Sequence, residues 1–354
     1  MAWEWKWSKH TILFKGAESF EQTEAPVYHS TGGPLFKTLL SSGCRMDCRY
    51  CPFARFCRIA RERWDREKLV KAFLTAYEEG IVRGLFLSSA LYGDPERVTT
   101  DIIEVAEELR RRGYNGYIHL RLMPGTPSQL VKRALEVADR VGINLEAPNP
   151  SAFSEIAPSK GSWSLDIYSK LLYAARIAKS AKRVDTQLVL GASDETDTEV
   201  LSLIEVLVSN GIGIVHFSPY TPIPGTPLAE KKKKPTPLWR TKQLYEALVL
   251  IRDYGFRLKD IKPLIREDGN MPRLGKSLKE SIAELHPGWF PVDIATAGQQ
   301  ELLRVPGIGP RSARAIIKLR RSGQKLDVFT LQKILGPQRL RKALPFLDLS
   351  NTNR

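Results

Sequence analysis

Short apolar runs alternate with amphipathic stretches from Pro34 to about Phe256. The runs are bounded by turn residues, a pattern that predicts buried strands. The predicted strands are Leu35–Leu40, Gly84–Ser88, Tyr117–Leu122, Ile143–Glu146, Gln187–Leu190 and Ile214–Ser218.

Between these runs, apolar residues recur every three or four positions, which places them on one face of a helix. Three such helices comprise Leu69–Tyr77, Ile102–Leu109 and Leu130–Ala138, the last two closed by Gly113 and Gly142. Repeated strand–helix units predict a parallel sheet with helices outside it. About six units predict an α/β fold, a partial (β/α)6 barrel, with its chemistry in the loops after the strands.

The chain outside the barrel has a different composition. The predicted divisions are an N-terminal extension (1–33), the barrel (34–258), a connector (259–290) and a small all-α domain rich in Arg and Lys (291–354). In the extension, Trp3, Trp5 and Trp7 alternate with other residues. This alternation predicts an edge strand on the barrel, with a surface for stacking bases as the alternative.

The net charge is +15, from 54 Lys and Arg against 39 Asp and Glu. Such an excess favours polyanions, nucleic acid ahead of an anionic membrane, with solubility or thermal adaptation as the alternative. The run Lys231–Lys234 would add to the positive charge that attracts polyanions, with a solvated loop as the alternative. No apolar run is long enough to span a membrane, and Met1–His10 lack the apolar core of a signal peptide. We therefore expect a cytoplasmic protein.

All four cysteines lie in one short segment, at Cys44, Cys48, Cys51 and Cys57. A disulfide scaffold would spread its cysteines along the chain, so this grouping indicates metal chemistry in a reducing compartment. Three thiolates spaced by four and three residues can hold a cubane iron–sulfur cluster and leave one iron open. That iron can bind S-adenosylmethionine, whose reductive cleavage gives a carbon radical. A structural zinc site that uses Cys57 as fourth ligand is the alternative.

The cysteine motif, Tyr50 and the strand order resemble the radical S-adenosylmethionine (radical SAM) superfamily. A closer resemblance, to the DNA modification or repair radical SAM proteins, runs over nearly the whole chain. It is carried by Gly84–Ser89, Gly116–His119, Asn144–Pro148, Pro224–Leu228, Phe290–Asp293 and Val305–Gly309. The resemblance implies a [4Fe-4S] cluster, S-adenosylmethionine, an electron donor such as a ferredoxin or flavodoxin, and a uracil-DNA-glycosylase-like partner.

The superfamily resemblance also implies roles for single residues. Cys44, Cys48 and Cys51 would bind the cluster, and Tyr50 would contact adenine. Glu146 would accept hydrogen bonds from ribose hydroxyls, with a strand-end salt bridge as the alternative. The usual Gly-Gly-Glu after the second strand is absent. The methionine group would therefore be bound by Ser88 and Ser89 or by the later Asp94. The loop from Gly191 to Asp194 would approach the adenine.

Three further residues have open interpretations. Cys57 is a hydrogen donor, a substrate contact or a buried structural cysteine. His119 and Arg121 alternate on one strand, and one face of that strand must point into the barrel. Arg121 is therefore a candidate to bind the cofactor, whereas His119 is more simply explained as a core histidine with a partner.

The C-terminal segment contains Val305-Pro-Gly-Ile-Gly309 between two short helical patterns. Gly307 and Gly309 leave backbone N–H groups free to face a phosphate at the start of the next helix. Arg311, Arg314 and Lys318 form a basic face there. This arrangement resembles the helix-hairpin-helix motif, which binds nucleic-acid backbone without reading sequence. A hairpin used only for packing or dimerisation is the alternative, and Phe329–Leu347 would be a degenerate second copy.

Three functions follow. The first is a radical enzyme that modifies or repairs a nucleotide, in DNA rather than RNA. The second is a radical enzyme acting on a small molecule or a protein, with the hairpin binding a partner. The third is a non-enzymatic nucleic-acid binder with structural zinc.

Overall fold

The computed structural model describes residues 26–30 and 32–353, so the expectation for Trp3, Trp5 and Trp7 lies outside the described residues. By its internal contacts the chain forms two compact units. The first comprises the residues up to Glu195 and Val206–Thr241, and the second comprises Thr196–Glu205 and the residues from Lys242 onward. The four-part division expected from the sequence stays a prediction.

The first unit contains a curled seven-stranded sheet whose strands follow their order in the sequence. The strands are β1 (Val27–Ser30), β2 (Gly33–Leu39), β3 (Gly84–Ser88), β4 (Tyr117–Arg121), β5 (Arg140–Gly142), β6 (Val184–Leu190) and β7 (Ile214–Pro219). The first pair is antiparallel and all later pairs are parallel. The α/β half-barrel expected from the alternating pattern is confirmed.

Helices follow the parallel strands along the chain, as the three- and four-residue spacing predicts. They are α1 (Arg66–Glu78), α2 (Pro95–Arg111), α3 (Ser128–Val137), α4 (Pro150–Ile156), α5 (Ser169–Ala178), α6 (Asp197–Ser209), α7 (Pro227–Lys231) and α8 (Leu238–Tyr254). A π-helical turn, Trp163–Tyr168, leads into α5. Gly113 closes α2 as predicted, with a φ of 85° and a hydrogen bond from its N–H to Arg110 O.

The strand predicted at Ile143–Glu146 is wrong. The fifth strand lies earlier, at Arg140–Gly142, and the predicted segment contributes one isolated bridge between Glu146 and Leu188. The hydroxyl of Thr186 donates to Ile143 O and accepts from Leu145 N–H, in place of backbone ladder bonds. Glu146 then adopts a φ of 64°, which no strand residue has.

Gly142 does not close a helix either, because α3 ends at Val137 and Gly142 lies inside β5. Glycine is needed at position 142 because a side chain would not fit. A Cβ on it would lie 2.3 Å from Asp185 Oδ1 and 2.6 Å from Arg121 Nη1.

The second unit is mainly helical. Its further elements are α9 (Leu258–Ile261), α10 (Leu278–Leu285), β8 (Val292–Asp293), α11 (Gln299–Arg304), α12 (Pro310–Arg321), α13 (Val328–Leu335), α14 (Pro337–Ala343) and β9 (Leu347–Asp348). Short 3₁₀ turns occupy Lys262–Leu264, Pro287–Trp289, Leu344–Phe346 and Ser350–Asn353. Strand β8 pairs in parallel with β9, and α11–α14 share one apolar core with them. No helix among the described residues combines the length and the apolarity needed to cross a membrane.

Candidate active site

The three cysteines of the motif lie in a loop that follows the carboxyl end of β2. From position 40 to 65 the chain forms turns rather than helix or strand, apart from a bridge between Ser41 and Arg63. Successive turns fold it tightly, with hydrogen bonds from Cys51 N–H to Cys48 O and from Cys57 N–H to Ala54 O. All four thiols are free. Cys48 and Cys51 are buried, and Cys44 is partly exposed.

Arg61 is exposed, and its guanidinium binds four carbonyls of this loop. Its Nη1 donates to Ser42 O and Phe53 O at 3.0 and 2.7 Å, and its Nη2 donates to Ala54 O and Cys57 O at 2.8 and 2.9 Å. A turn-rich segment has few partners for its own carbonyls, and the planar guanidinium satisfies four of them at once. Nothing in the sequence motif indicates this role.

The electrostatics of the cysteine loop suit a cationic metal cluster. Burial raises the pKa of Cys48 to about 12 and also raises that of Cys51, and their mutual repulsion with Cys44 acts in the same direction. Buried thiolates need a compensating positive charge, which cluster iron supplies. Among the described residues, no group of three or more His, Cys, Asp or Glu is gathered around a single ion. A cubane differs because each thiolate binds its own iron.

The Cys57 thiol points toward two backbone carbonyls. Its Sγ lies 3.5 Å from Cys51 O and 3.6 Å from Gly225 O, and burial raises the pKa of this thiol. The buried thiol therefore connects the cysteine loop to the loop before α7. Its role as a hydrogen donor stays a prediction.

Glu146 and Lys160 form a buried ion pair near the cysteines. Lys160 Nζ donates to Glu146 Oε1, while Glu146 Oε2 has no hydrogen-bond partner among the described residues. Burial lowers the pKa of Lys160, but the charges of Glu146 and Cys48 outweigh burial and leave it raised. Lys160 belongs to no motif, so the sequence does not indicate this role.

The backbone of Glu146 is held by β6. Its N–H donates to Gln187 O at 2.9 Å, and its carbonyl accepts from Val189 N–H at 2.7 Å. These bonds stabilise the positive φ, and the bond from Lys160 holds the side-chain carboxylate. One carboxylate oxygen is thus paired with Lys160, and the other is buried without a hydrogen-bond partner among the described residues. Its contact with a ribose hydroxyl stays a prediction.

The segment before Lys160 is tied to the cysteine loop. Asp47 Oδ1 accepts from the N–H and the hydroxyl of Ser159, and Arg49 N–H donates to Ile156 O. The bonds from Ser159 and the charge of Arg55 lower the pKa of Asp47 although burial opposes them. The cysteines and the Glu146–Lys160 pair therefore belong to one connected region.

The remaining predicted cofactor residues lie at the carboxyl ends of the strands or in the loops that follow them. Tyr50 is buried, and Ser88 ends β3 with its carbonyl bound to Leu40 N–H. Ser89 donates to Ala90 O. Asp94 is the N-cap of α2: its carboxylate accepts from Arg97 N–H, which lowers its pKa. This helix-capping bond already occupies one Asp94 oxygen.

Gly191, after β6, has a φ of 76°, and its N–H donates to Glu195 Oε1 at 2.6 Å. A Cβ there would stand 2.1 Å from Thr236 Oγ1, so only glycine fits. The backbone of this turn is therefore fixed. Its contact with adenine stays a prediction.

Arg121 belongs to a second polar group, centred on Asp185. Its Nη1 lies 3.1 Å from Asp185 Oδ1 and donates to Asn144 Oδ1 at 2.6 Å. His119 Nε2 and His216 Nε2 lie 3.1 and 3.2 Å from Asp185 Oδ2. His119 is therefore buried beside a carboxylate, although its Nε2 forms no hydrogen bond with the described residues. Asp185 is absent from the predicted site residues, although a carboxylate inside an otherwise apolar strand is a signal of a buried polar contact.

The predicted nucleic-acid residues lie in the second unit. Gly307 has a φ of 83° in the turn between α11 and α12, and Gly309 is the N-cap of α12. A Cβ on Gly307 would lie 2.3 Å from Arg339 O, so the turn packs closely on α14. Arg311, Arg314 and Lys318 are exposed on α12.

Residues 38–207 match the family model described as the Radical SAM superfamily. Among solved structures, the crystal structure of methylornithine synthase (PylB) matches at 18% identity and a TM-score of 0.46, over 60% of this chain and 60% of that chain. The FeFe-hydrogenase maturase HydG from Carboxydothermus hydrogenoformans matches at 14% identity and a TM-score of 0.48, over 87% of this chain and 75% of that chain. The chain thus spans about 60% of the length of the methylornithine synthase structure. No curated protein matches the chain.

Proposed function

The chain is an enzyme with a radical SAM superfamily domain, and from that premise we propose that its substrate is a nucleotide within DNA or RNA. The single observation that carries the proposal is the basic face of α12 behind a glycine hairpin, in the same chain as the radical SAM domain. DNA is favoured over RNA because of the family resemblance.

The cofactors of the superfamily are a [4Fe-4S] cluster and S-adenosylmethionine, which together supply reductive cleavage of the sulfonium and abstraction of a hydrogen atom. We assign Cys44, Cys48 and Cys51 to the cluster. The free Glu146 Oε2 would accept a hydrogen bond from the ribose. Tyr50 would pack on adenine, and Ser88 and Ser89 would meet the methionine group.

Two features of α12 support a nucleic-acid substrate. Arg311, Arg314 and Lys318 follow each other at spacings of three and four, and none forms an ion pair with another described residue. Residues 291–354 hold 12 Lys and Arg against four Asp and Glu. Such unpaired cations gain by releasing counterions from a phosphate backbone.

The hairpin before α12 is suited to a phosphate. Its positive-φ glycine and the N-cap glycine leave the backbone N–H groups at the helix start without Cβ atoms in front of them. Contacts of this kind position a protein on nucleic acid but select no base. The modified base and the product remain unassigned.

The test begins with nucleic-acid binding. We expect the R311E/R314E/K318E variant to lose at least 10-fold in affinity for duplex DNA at low salt, with a shallower salt dependence. The matched control is K71E/K132E, which reverses two exposed cations on α1 and α3.

The second part is turnover. Anaerobically reconstituted enzyme with S-adenosylmethionine and a reductant should form 5′-deoxyadenosine faster when its nucleic acid is present. The proposal fails if neither DNA nor RNA raises the rate of 5′-deoxyadenosine formation, or if the charge-reversal variant binds as tightly as the control.

A second candidate is a radical SAM enzyme with a small-molecule or protein substrate, in which the hairpin region binds a partner. The observation that favours it is an exposed apolar pair at the start of α13, where Val328 and Phe329 are 47% and 65% exposed. A uracil-DNA-glycosylase-like protein would be such a partner. Replacing Phe329 by Ser should weaken that complex and leave DNA binding intact.

A further inference from the structure

The two faces of the first unit's sheet differ in chemistry. The residues of β3 and β4 that face the helices are apolar and fully buried: Leu85, Leu87, Ile118 and Leu120. Their neighbours on the opposite face are Phe86, His119 and Arg121. Asp185 and His216 belong to the same polar group, because both His119 and His216 contact the Asp185 carboxylate. In a barrel with helices outside, this opposite face lines the interior.

The polar group has a graded exposure. The side chains of Asp185, His119 and Arg121 are 0%, 5% and 7% exposed, whereas that of His216 is 44% exposed. Three members are therefore enclosed, and within this group only the His216 imidazole is exposed to solvent.

The charges of the group balance without His216. Burial raises the pKa of Asp185, but the Arg121 guanidinium and His119 outweigh burial and hold it well below its usual value. Arg121 is thus already a full counter-charge for the carboxylate, and packing alone does not require a second, half-exposed imidazole at 3.2 Å. Burial lowers the pKa of His119, although the Asp185 carboxylate opposes this shift.

An ionised carboxylate only accepts hydrogen bonds, so His216 Nε2 carries the proton that faces Asp185. The lone pair then lies on Nδ1, which has no hydrogen-bond partner among the described residues. A buried carboxylate that holds an exposed imidazole in one tautomer is the arrangement used in proton transfer.

We propose that His216 and Asp185 form a proton-transfer pair for a substrate bound against the polar face of the sheet. The substrate class is a molecule with an exchangeable N–H or O–H beside the reacting carbon. The proton passes from that heteroatom to His216 Nδ1, and the electron pair stays on the heteroatom. The imidazolium keeps its Nε2–H bond to Asp185 and later releases the proton to product or water.

In this proposal Arg121 and His119 are positioning residues that fix the carboxylate. Gly142 gives the ion pair its space. The pair does not require that the substrate be a nucleic acid, so the two proposals can fail separately.

The first experiment needs neither cofactor nor substrate. In the full chain labelled with ¹⁵N-histidine, the His216 resonances should show a single tautomer with the proton on Nε2. D185N should remove this preference, and H29Q, at an exposed histidine of β1, should leave it unchanged. If wild-type His216 averages between tautomers, or carries its proton on Nδ1, the proposal is wrong.

The second experiment measures coupling in the loaded enzyme. Positioned general acid–base groups contribute about 100-fold or more, so the ratio of product to 5′-deoxyadenosine should fall by about that factor in H216Q. This variant keeps the Arg121–Asp185 ion pair and is expected to fold even where D185N does not. An unchanged ratio would overturn the catalytic role. Absence of turnover with any nucleic acid would instead count against the proposed function. The tautomer measurement alone would then test whether His216 and Asp185 form a proton-transfer pair.

Discussion

Gly142 and Asp185 approach so closely that a single added methyl group would stand 2.3 Å from the carboxylate oxygen Oδ1. The glycine and the aspartate are register partners on β5 and β6, and the Arg121 guanidinium occupies the remaining space. The ion pair on the polar face of the sheet therefore requires glycine at position 142.

We predict that Gly142→Ala lowers the free energy of unfolding by about 1–3 kcal/mol, because the buried ion pair must move to admit the methyl group. Gly93→Ala is the control, since a Cβ there meets only ordinary contacts at 3.6 and 3.7 Å. Urea titration of both variants checks the prediction. Equal midpoints for the two variants would contradict it.

We predict that Lys160→Met destabilises the protein by about 3 kcal/mol, since it leaves the buried Glu146 carboxylate without its counter-charge. Adding Glu146→Gln should restore part of the loss, because the remaining amide is neutral. Exposed Lys132→Met serves as the control. Denaturation of the two single variants and the double variant gives the coupling energy, and purely additive effects would show that the pair is not energetically linked.

The sequence predicts the architecture because alternation of apolar residues is a local signal. The spacing of Leu85, Leu87, Ile118 and Leu120 is sufficient to place β3 and β4. The apolar spacing fails to place the fifth strand. The contact that displaces it comes from the Thr186 hydroxyl, 43 positions after Ile143. Local pattern contains no information about such a distant partner.

The residues of the candidate site also differ in whether a local sequence pattern identifies them. The cysteines are recognised from their spacing alone. Arg61, Lys160 and His216 are not, because no spacing pattern identifies their partners. These partners are carbonyls 4 to 19 positions away for Arg61, Glu146 at 14 positions for Lys160, and Asp185 at 31 positions for His216. Asp185 carries the strongest sequence signal of the residues that were not predicted. An unpaired carboxylate would be costly inside a buried strand, so its presence there implies polar partners.

Arg61 gives a prediction about the cysteine loop. Arg61→Lys keeps the charge but cannot donate to four carbonyls in one plane. We expect a loss of about 2 kcal/mol in stability. Iron and sulfide content after anaerobic reconstitution should fall to less than about half that of wild type.

The control for Arg61 is Arg58→Lys, an exposed arginine three positions earlier in the same loop. It forms no hydrogen bond or ion pair with other described residues, so cluster content should match wild type. Wild-type iron content in Arg61→Lys would show that the loop holds its shape without the four bonds.

Lys279 gives a prediction about pH in the second unit. Its Nζ donates to Ile308 O at 2.6 Å and lies 4.7 Å from the Tyr254 ring centre. Burial lowers the pKa of Lys279 from 10.5 to about 7. Between these two values the unfolded chain binds a proton that the folded chain does not, so this group favours folding more strongly as pH rises.

We therefore compare wild type with Lys279→Met from pH 7 to pH 9. The stability of wild type relative to the variant should rise by roughly 1 kcal/mol per pH unit, because the cost of burying the ammonium disappears as it loses its proton. Below pH 7 the cost is fully present, and the difference should become constant. Exposed Lys259→Met should follow wild type at every pH. Parallel stability curves for wild type and Lys279→Met would show that the Lys279 ammonium stays charged beneath the hairpin.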